Sequence, residues 1–409
     1  MSSKKRRIAF VIHDLNGWGG QDRSTLEVAR RLSHRYPVSL VCYTWEDPNG
    51  AHAWGDLRVY RIKPDPRKPA LLRAIWFFFA TLPVLFIDPL LKGEPRPLIL
   101  ATGACSLFSD VIQVQWVSRT WQELKKKLPL HVYSPPFATE GGIASWIRSA
   151  YHHFLLAFNV LVERWVLRPS KTYIAISHSV AQELEKYFKI KERVHVVYHA
   201  VDSTLFCPAD DKTMSDRTHL RDKFGINSQD VVGIFVGAYD RKGLAVTLDA
   251  MARMNPTLRK NFKLLAIGSG GGDAFIKRAQ NLKLGESVIV LGHSREIHRY
   301  YRAADFFVLP TLYEPFGLVI TEAMASGLAP VVAAISGAAE LIENGKSGIL
   351  LQNPESSDEL ARVLEKMTHQ SDLRKKMGEA ALAKTQSMSW DQAAEGYAQV
   401  LEPLVRRKA

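Results

Sequence analysis

Residues 306–327 read F-F-V-L-P-T-L-Y-E-P-F-G-L-V-I-T-E-A-M-A-S-G. The uninterrupted apolar run at 306–310 has the length and composition of a strand buried on both faces. Pro315 and Gly317 supply turn chemistry, and Leu318 to Ala325 form an apolar helical segment. A buried strand, a turn and a buried helix are the repeating unit of a parallel sheet covered by helices. The same alternation extends outward in both directions. Apolar runs at 231–237, 262–270, 287–292, 329–334 and 348–351 surround this one, with helical stretches between them. The first half carries its own set at 7–14, 38–45, 57–62, 97–103, 111–117 and 173–178. Residues 21–35 between the first two show helical spacing at Leu26, Ala29 and Leu32. The chain of 409 residues exceeds one ordinary core. The expectation is α/β: two doubly wound, Rossmann-like domains facing a cleft, 1–197 and 198–389. The join lies where the polar stretch near 198–230 loses periodicity. The last helix, 390–409, is expected to return to the first domain.

Two carboxylates interrupt the opening stretch, Glu314 in the turn and Glu322 on the helix. The amides of Phe316, Gly317 and Leu318 open that helix, where the peptide dipoles favour an anion such as phosphate. Glu314 would then face a ligand part on one side of the phosphate and Glu322 a part on the other. A carboxylate accepts two hydrogen bonds from a vicinal diol such as a ribose. The order glutamate, amides, glutamate therefore fits a sugar–diphosphate–nucleoside. The plain alternative for Glu322 is a helix-dipole residue. Upstream, V-G-A-Y-D-R-K-G-L at 236–244 sets Arg241 and Lys242 after a strand and before a helix. Adjacent cations there suit a diphosphate, the arginine by forked contacts and the lysine as a point charge. I-G-S-G-G-G at 267–272, with Gly268, forms another glycine-rich strand-to-helix turn that either approaches the same phosphate or merely turns. H-D-L-N-G-W-G-G-Q-D-R at 13–23 places Gly19 and Gly20 before a helix as a further anion cradle. It is not G-x-G-x-x-G, so a dinucleotide is poorly supported.

Composition narrows the class. Hydrophobic residues make up 46% and charged residues 23%, as in soluble globular chains. Three cysteines, Cys42, Cys105 and Cys207, have no paired spacing and imply neither a disulfide frame nor a zinc site. Charge is uneven. Residues 1–190 hold 26 Lys and Arg against 15 Asp and Glu, whereas residues 191–409 hold 28 against 26. A basic first half suits an anionic lipid surface or a phosphorylated substrate; no nucleic-acid motif is present, and no nucleic-acid partner is expected. The start, MSSKKRRIAFVIHD, lacks the apolar length and small-residue site of a signal peptide. The segment 70–91, A-L-L-R-A-I-W-F-F-F-A-T-L-P-V-L-F-I-D-P-L-L, has a charge-free core of about 14 residues, short for a membrane-spanning helix. It reads as a buried helix, or as one lying in a membrane interface after the basic residues that precede it.

E-P-F-G-L-V-I-T-E-A-M-A-S-G matches the E-x7-E signature of the retaining family-four glycosyltransferases of the GT-B fold, and R-K-G matches that family's cation pair. A-I-S-H-S-V-A-Q-E-L, V-Y-H-A-V-D-S-T-L-F-C-P and G-W-G-G-Q-D-R resemble its linker region and first-strand loop. The resemblance covers nearly the whole chain and is nearest to the lipopolysaccharide-core hexose transferases. It implies that Glu314 contacts the donor sugar, Glu322 the ribose, and Arg241 and Lys242 the departing diphosphate. It implies a metal-independent hexosyltransferase with no cofactor, using a nucleotide-diphosphate sugar as co-substrate, a UDP-sugar first. No Asp-x-Asp signature appears at a strand end. Cations can replace a metal because charge grows on the leaving group. Two positions depart from the family pattern: Gln115 stands where relatives often carry a histidine, and His199-Ala200 where they often carry Asn-Gly. Gln115 is kept as a substrate-binding residue. His13 and His178 are polar positions near the expected cleft that read better as structural.

The acceptor is expected on the first domain, with Trp18, Gln21, Trp116, Arg119 and Trp121 offering stacking faces and polar contacts. Lys125, Lys126 and Lys127 add to its basic character. The expected partners are a nucleotide-sugar donor, a glycan or lipid-linked glycan acceptor of the cell envelope, and a membrane touched peripherally through the basic domain. The expected location is cytoplasmic, on the inner face of the cytoplasmic membrane. A soluble small molecule or sugar phosphate as acceptor, and a non-catalytic nucleotide-sugar-binding protein, are the competing readings.

Overall fold

The computed structural model describes residues 6–17, 19–46, 54–66, 69–128, 143–210 and 213–406. The chain forms two units. One comprises residues 1–122, 152–200 and 390–409, the other residues 123–151 and 201–389.

The first unit is built on a seven-stranded parallel sheet. Its strands are Ile8–Val11 (β1), Val38–Cys42 (β2), Leu57–Arg61 (β3), Leu98–Thr102 (β4), Val111–Val114 (β5), Thr172–Ala175 (β6) and Val194–Val196 (β7), in the order β3-β2-β1-β4-β5-β6-β7. Four of these, β1, β2, β4 and β5, are buried at every residue, as strands covered on both faces must be. Winding runs one way from β1 through β2 to β3 and the other way from β4 onward. The switch therefore lies between β1 and β4, and in such sheets ligands bind outside the carboxyl ends of the strands at that point. The helix Gly20–Ser33 follows β1. The final helix, Trp390–Arg406, belongs to this unit and is paired by charge with that helix and the residues after it: Arg31 with Asp391 at 2.5 Å, and Arg35 with Glu395 at 3.1 Å and Glu402 at 3.2 Å.

The helical segment at 70–91 extends beyond its charge-free core. It is one continuous helical stretch, Ala70–Leu91, of mean hydropathy 2.1, carried through Pro83 by a wider π turn at Pro83–Ile87. Length and composition therefore do not rule out crossing a membrane, contrary to the 14-residue count. Nor is it simply a buried helix. Phe77, Thr81, Leu85 and Pro89, a single stripe at helical spacing, are buried, with Phe77 and Leu85 in a core that includes Val11, Val41 and Ile99. The opposite side leaves Leu72, Trp76, Phe79, Ile87, Leu90 and Leu91 exposed. Its two charges are satisfied locally, Arg73 by Asp14 and Asp65 and Asp88 by Lys92.

The second unit has a six-stranded parallel sheet of Val231–Ala238 (β8), Phe262–Ser269 (β9), Val288–Leu291 (β10), Phe306–Leu309 (β11), Ala329–Ala333 (β12) and Ile349–Leu351 (β13), ordered β10-β9-β8-β11-β12-β13. Its switch point lies between β8 and β11. The polar stretch read as a join contains a helix, Met214–Lys223, that is part of this unit. Its arginines explain its weak periodicity. Arg217 and Arg221 reach Asp305 at 2.7 and 3.3 Å, while Asp305 also accepts from the amide of Val232 at the head of β8.

Candidate active site

Arg241 and Lys242 follow β8, and Glu314 follows β11, so all three stand at the carboxyl ends of the two strands that flank the second sheet's switch point. Lys242 Nζ lies 2.9 Å from Glu314 Oε2, and Arg241 Nη1 lies 3.9 Å from the same oxygen. Both Lys242 and Glu314 are buried. Backbone fixes the arrangement. Gly237 has φ +136, and a Cβ there would stand 2.3 Å from Lys242 Cδ, so the missing side chain makes room for the lysine stem. Arg241 donates to the carbonyl of Tyr313 and accepts, through its own carbonyl, from the amide of Leu312 at 3.2 Å. The 310–317 turn is thereby tied to the end of β8. The amide of Gly337 donates to Glu314 O at 2.9 Å from the other side.

Burial alone would push the Glu314 carboxyl up. Lys242 and then Arg241 outweigh it, holding the group below the usual carboxylate range. Glu314 is therefore ionised at neutral pH, and it neutralises part of the positive charge beside it.

The helix Leu318–Ala325 begins directly after Gly317, whose φ of +98 is a left-handed value that suits glycine. Phe316, Gly317 and Leu318 thus form its amino end, as the sequence placed them. Glu322 is buried at 3% exposure in the second turn and accepts from the hydroxyl of Tyr301 at 3.2 Å. Gly268 is inside β9, paired with Gly237, not in the following turn; Gly270 and Gly271 make that turn with positive φ. A Cβ on Gly268 would meet Gly237 O at 1.9 Å, so its glycine is required by strand approach.

Gly19, Gly20 and Gln115 belong to the first unit. Gly19 is the residue before the Gly20–Ser33 helix. Gln115 is buried and donates to Ser24 Oγ at 3.1 Å. It lines a cavity of about 190 Å³ with His13, Gln21, Thr102, Trp116 and Glu163. His13, Thr102 and Gln115 stand at or just beyond the ends of β1, β4 and β5, at this sheet's own switch point. Gln21 and Trp116 thus share this cavity. Trp121 packs edge-on against Trp116 at 6.0 Å, and Arg119 bonds Gln122. Trp18 lies outside the described residues. His178 lines a different, surface pocket against Tyr198.

One residue of this cavity, Glu163, is absent from the sequence reading, which named His13 as a polar position near the expected cleft. The His13 ring lines the space and its Nε2 is buried without a hydrogen-bond partner. Burial, then the nearby Arg73, lowers it to about 4, so the imidazole is neutral. Glu163 accepts from the amide of Ser118 through both oxygens, at 2.8 and 3.0 Å, and burial pushes it up to about 7. A single acid in L-L-A-F-N-V-L-V-E-R-W-V was the available signal.

Residues 216–384 match the family described as "Glycosyl transferases group 1", and residues 110–205 match "Glycosyltransferase Family 4". A D-inositol 3-phosphate glycosyltransferase of Thermobifida fusca is 29% identical over 228 residues, 53% of this chain and 51% of that one. The chain spans about half the length of the curated relatives it matches. Among solved structures, WaaG, a glycosyltransferase involved in lipopolysaccharide biosynthesis, superposes with a TM-score of 0.72 at 21% identity, covering 96% of this chain and 99% of that one. HepE of Anabaena in complex with UDP and glucose gives 0.69 at 19% identity, covering 97% and 99%. Likeness at this identity establishes the two-domain GT-B architecture.

Proposed function

Since the chain carries a group 1 glycosyltransferase domain and a family 4 glycosyltransferase domain on a GT-B fold, we propose that it moves a hexose from a nucleotide-diphosphate sugar to an acceptor with retention of anomeric configuration. The observation that carries this reading is the Lys242–Glu314 pair, with Arg241 beside it, at the switch point of the second sheet. As the glycosidic bond breaks, negative charge accumulates on the leaving diphosphate. Arg241 and Lys242 stabilise that charge without reorganising, because Glu314 and the Tyr313 carbonyl already hold them in place. The amino end of the 318–325 helix adds its dipole. Glu314, ionised and buried, receives hydroxyls of the donor sugar, and Glu322 receives the ribose. With two cations in this position the reaction runs without a metal.

The acceptor is a glycan or lipid-linked glycan of the envelope, and it binds the first unit. Peripheral membrane contact fits the basic charge of residues 1–190 and the exposed apolar side of the 70–91 helix. HepE's complex with UDP and glucose makes a UDP-sugar the first donor to test. The test is donor-dependent release of nucleoside diphosphate across UDP-, GDP- and ADP-sugars, with inorganic phosphate measured in parallel. Nucleoside diphosphate released in step with sugar transfer supports the reading. Phosphate release in its place indicates a phosphorylase, and donor binding with no turnover over a broad acceptor panel indicates a non-catalytic binder.

A further inference from the structure

The cavity at the first sheet's switch point is lined by two chemically different sets of side chains. One set is polar: His13, Gln21, Thr102, Gln115, Asn159 and Glu163. His13 Nε2 there is buried without a partner, a position that a ligand hydroxyl would satisfy. The other set is apolar and comes from two helices, through Ala74 and Phe78 of the 70–91 segment and Phe158 and Val162 of the helix Ile143–Val166.

Both helices continue apolar surface away from the cavity. On the second, Phe154, Phe158, Leu161 and Trp165 fall at i, i+4, i+7 and i+11, one stripe along one side. Phe158 lines the cavity, whereas Phe154, Leu161 and Trp165 are more than half exposed, at 57%, 54% and 61%. On the first helix, Phe78 in the cavity is followed by the exposed Phe79 and preceded by the exposed Trp76. Exposed aromatic surface of this extent, contiguous with a pocket, marks a ligand or membrane contact. A free sugar would use the polar side chains alone and leave the apolar stripe in water.

We infer that this cavity is the binding site for an amphiphilic acceptor, its hydroxyl-bearing head among His13, Gln115 and Glu163 and its alkyl chain along Phe78, Phe158 and the Phe154–Trp165 stripe. The site names the acceptor class of the proposed transferase and rests on that reading. The cavity volume of about 190 Å³ matches a head the size of one sugar ring, and the chain leaves it past Phe78 and Phe158.

The experiment titrates the full chain with glucose and with hexyl, octyl and decyl β-glucoside below their micelle concentrations, by calorimetry, and titrates UDP into the same preparations. Affinity is expected to rise roughly three- to tenfold for each two carbons added, saturating at one site. Phe158→Asp and Ala74→Trp should each weaken octyl glucoside at least tenfold while leaving UDP affinity within twofold, which also reports that the variant is folded. Affinity independent of chain length, or both variants binding octyl glucoside as the wild type does, would overturn the proposal. Loss of UDP binding by the wild type would instead strike the donor reading and leave this one standing on its own titration.

Discussion

Lys242 Nζ stands 2.9 Å from Glu314 Oε2, joining residues 72 positions apart across the switch point of the second sheet. Each group lacks bulk water and relies on the other. Replacing Glu314 by Gln leaves the lysine charge buried and uncompensated. The expected cost is about 3 kcal/mol of stability, together with a fall in kcat of about a hundredfold and little change in donor KM. Lys242→Met should cost similar stability and kcat, and should in addition raise donor KM at least tenfold, because that lysine contacts the diphosphate itself. The double variant should be more stable than the sum of the two losses predicts, which a double-mutant cycle by chemical denaturation measures.

Glu322 is assigned a different task from Glu314, so its variant should fail differently. Glu322→Gln keeps an acceptor for Tyr301 but loses the charge offered to a ribose diol. Donor KM should rise tenfold or more on the order expected for a charged hydrogen bond, with kcat nearly preserved. Steady-state kinetics separate the two patterns. Equal loss of kcat in both variants would remove the division of roles.

Gly268 tests the strand geometry without touching charge. A methyl group there would stand 1.9 Å from Gly237 O, a backbone atom that cannot swing aside. Gly268→Ala is expected to destabilise the second unit by about 3 kcal/mol or more, visible as a lowered Tm. Gly272→Ala, whose Cβ meets nothing closer than 3.7 Å, is the matched control and should be within about 1 kcal/mol of the parent.

The pH dependence of Glu163 can be isolated by comparison with Glu163→Gln. Its carboxyl titrates near 7 in the folded chain against 4.5 ordinarily, because burial penalises the charge. The folded state therefore binds more protons than the unfolded state between those values. The wild type's stability relative to the glutamine variant should be greatest below about pH 4.5 and should fall by about 3 kcal/mol as pH rises through 7. His13, lowered to about 4, works in the opposite sense and destabilises the fold as pH falls from 6.5. A relative stability that is flat from pH 4.5 to 8 would show that Glu163 is not buried as described.

The two sheets were legible because strands buried on both faces carry unbroken apolar runs, and the residues at their carboxyl ends then follow by counting. Arg241, Lys242 and Glu314 were singled out this way, and the structure brings these three side chains together. The strand Val194–Val196 was not seen. It is a half-exposed edge strand with His195 in its middle, so it carries no apolar run. The 214–223 helix was hidden because its inward side is arginine that pairs with Asp305, which periodicity reads as polar surface. The 70–91 helix runs beyond its charge-free core and is buried along one stripe only. A proline inside a π turn does not end a helix, and which stripe is covered depends on the sheet it meets. The His13–Gln115–Glu163 cavity joins positions from 13 to 163, whose meeting is a property of strand order rather than of local spacing.

The most direct test of the central claim, that the second unit grips a nucleotide diphosphate at the Arg241–Lys242–Glu314 site, is calorimetric titration of UDP, GDP and ADP into the wild type and Lys242→Ala. One nucleotide is predicted to bind the wild type at a single site and to lose at least tenfold in affinity in the variant. Equal affinity in both proteins for whichever nucleotide binds, or no binding of any of the three, would contradict it.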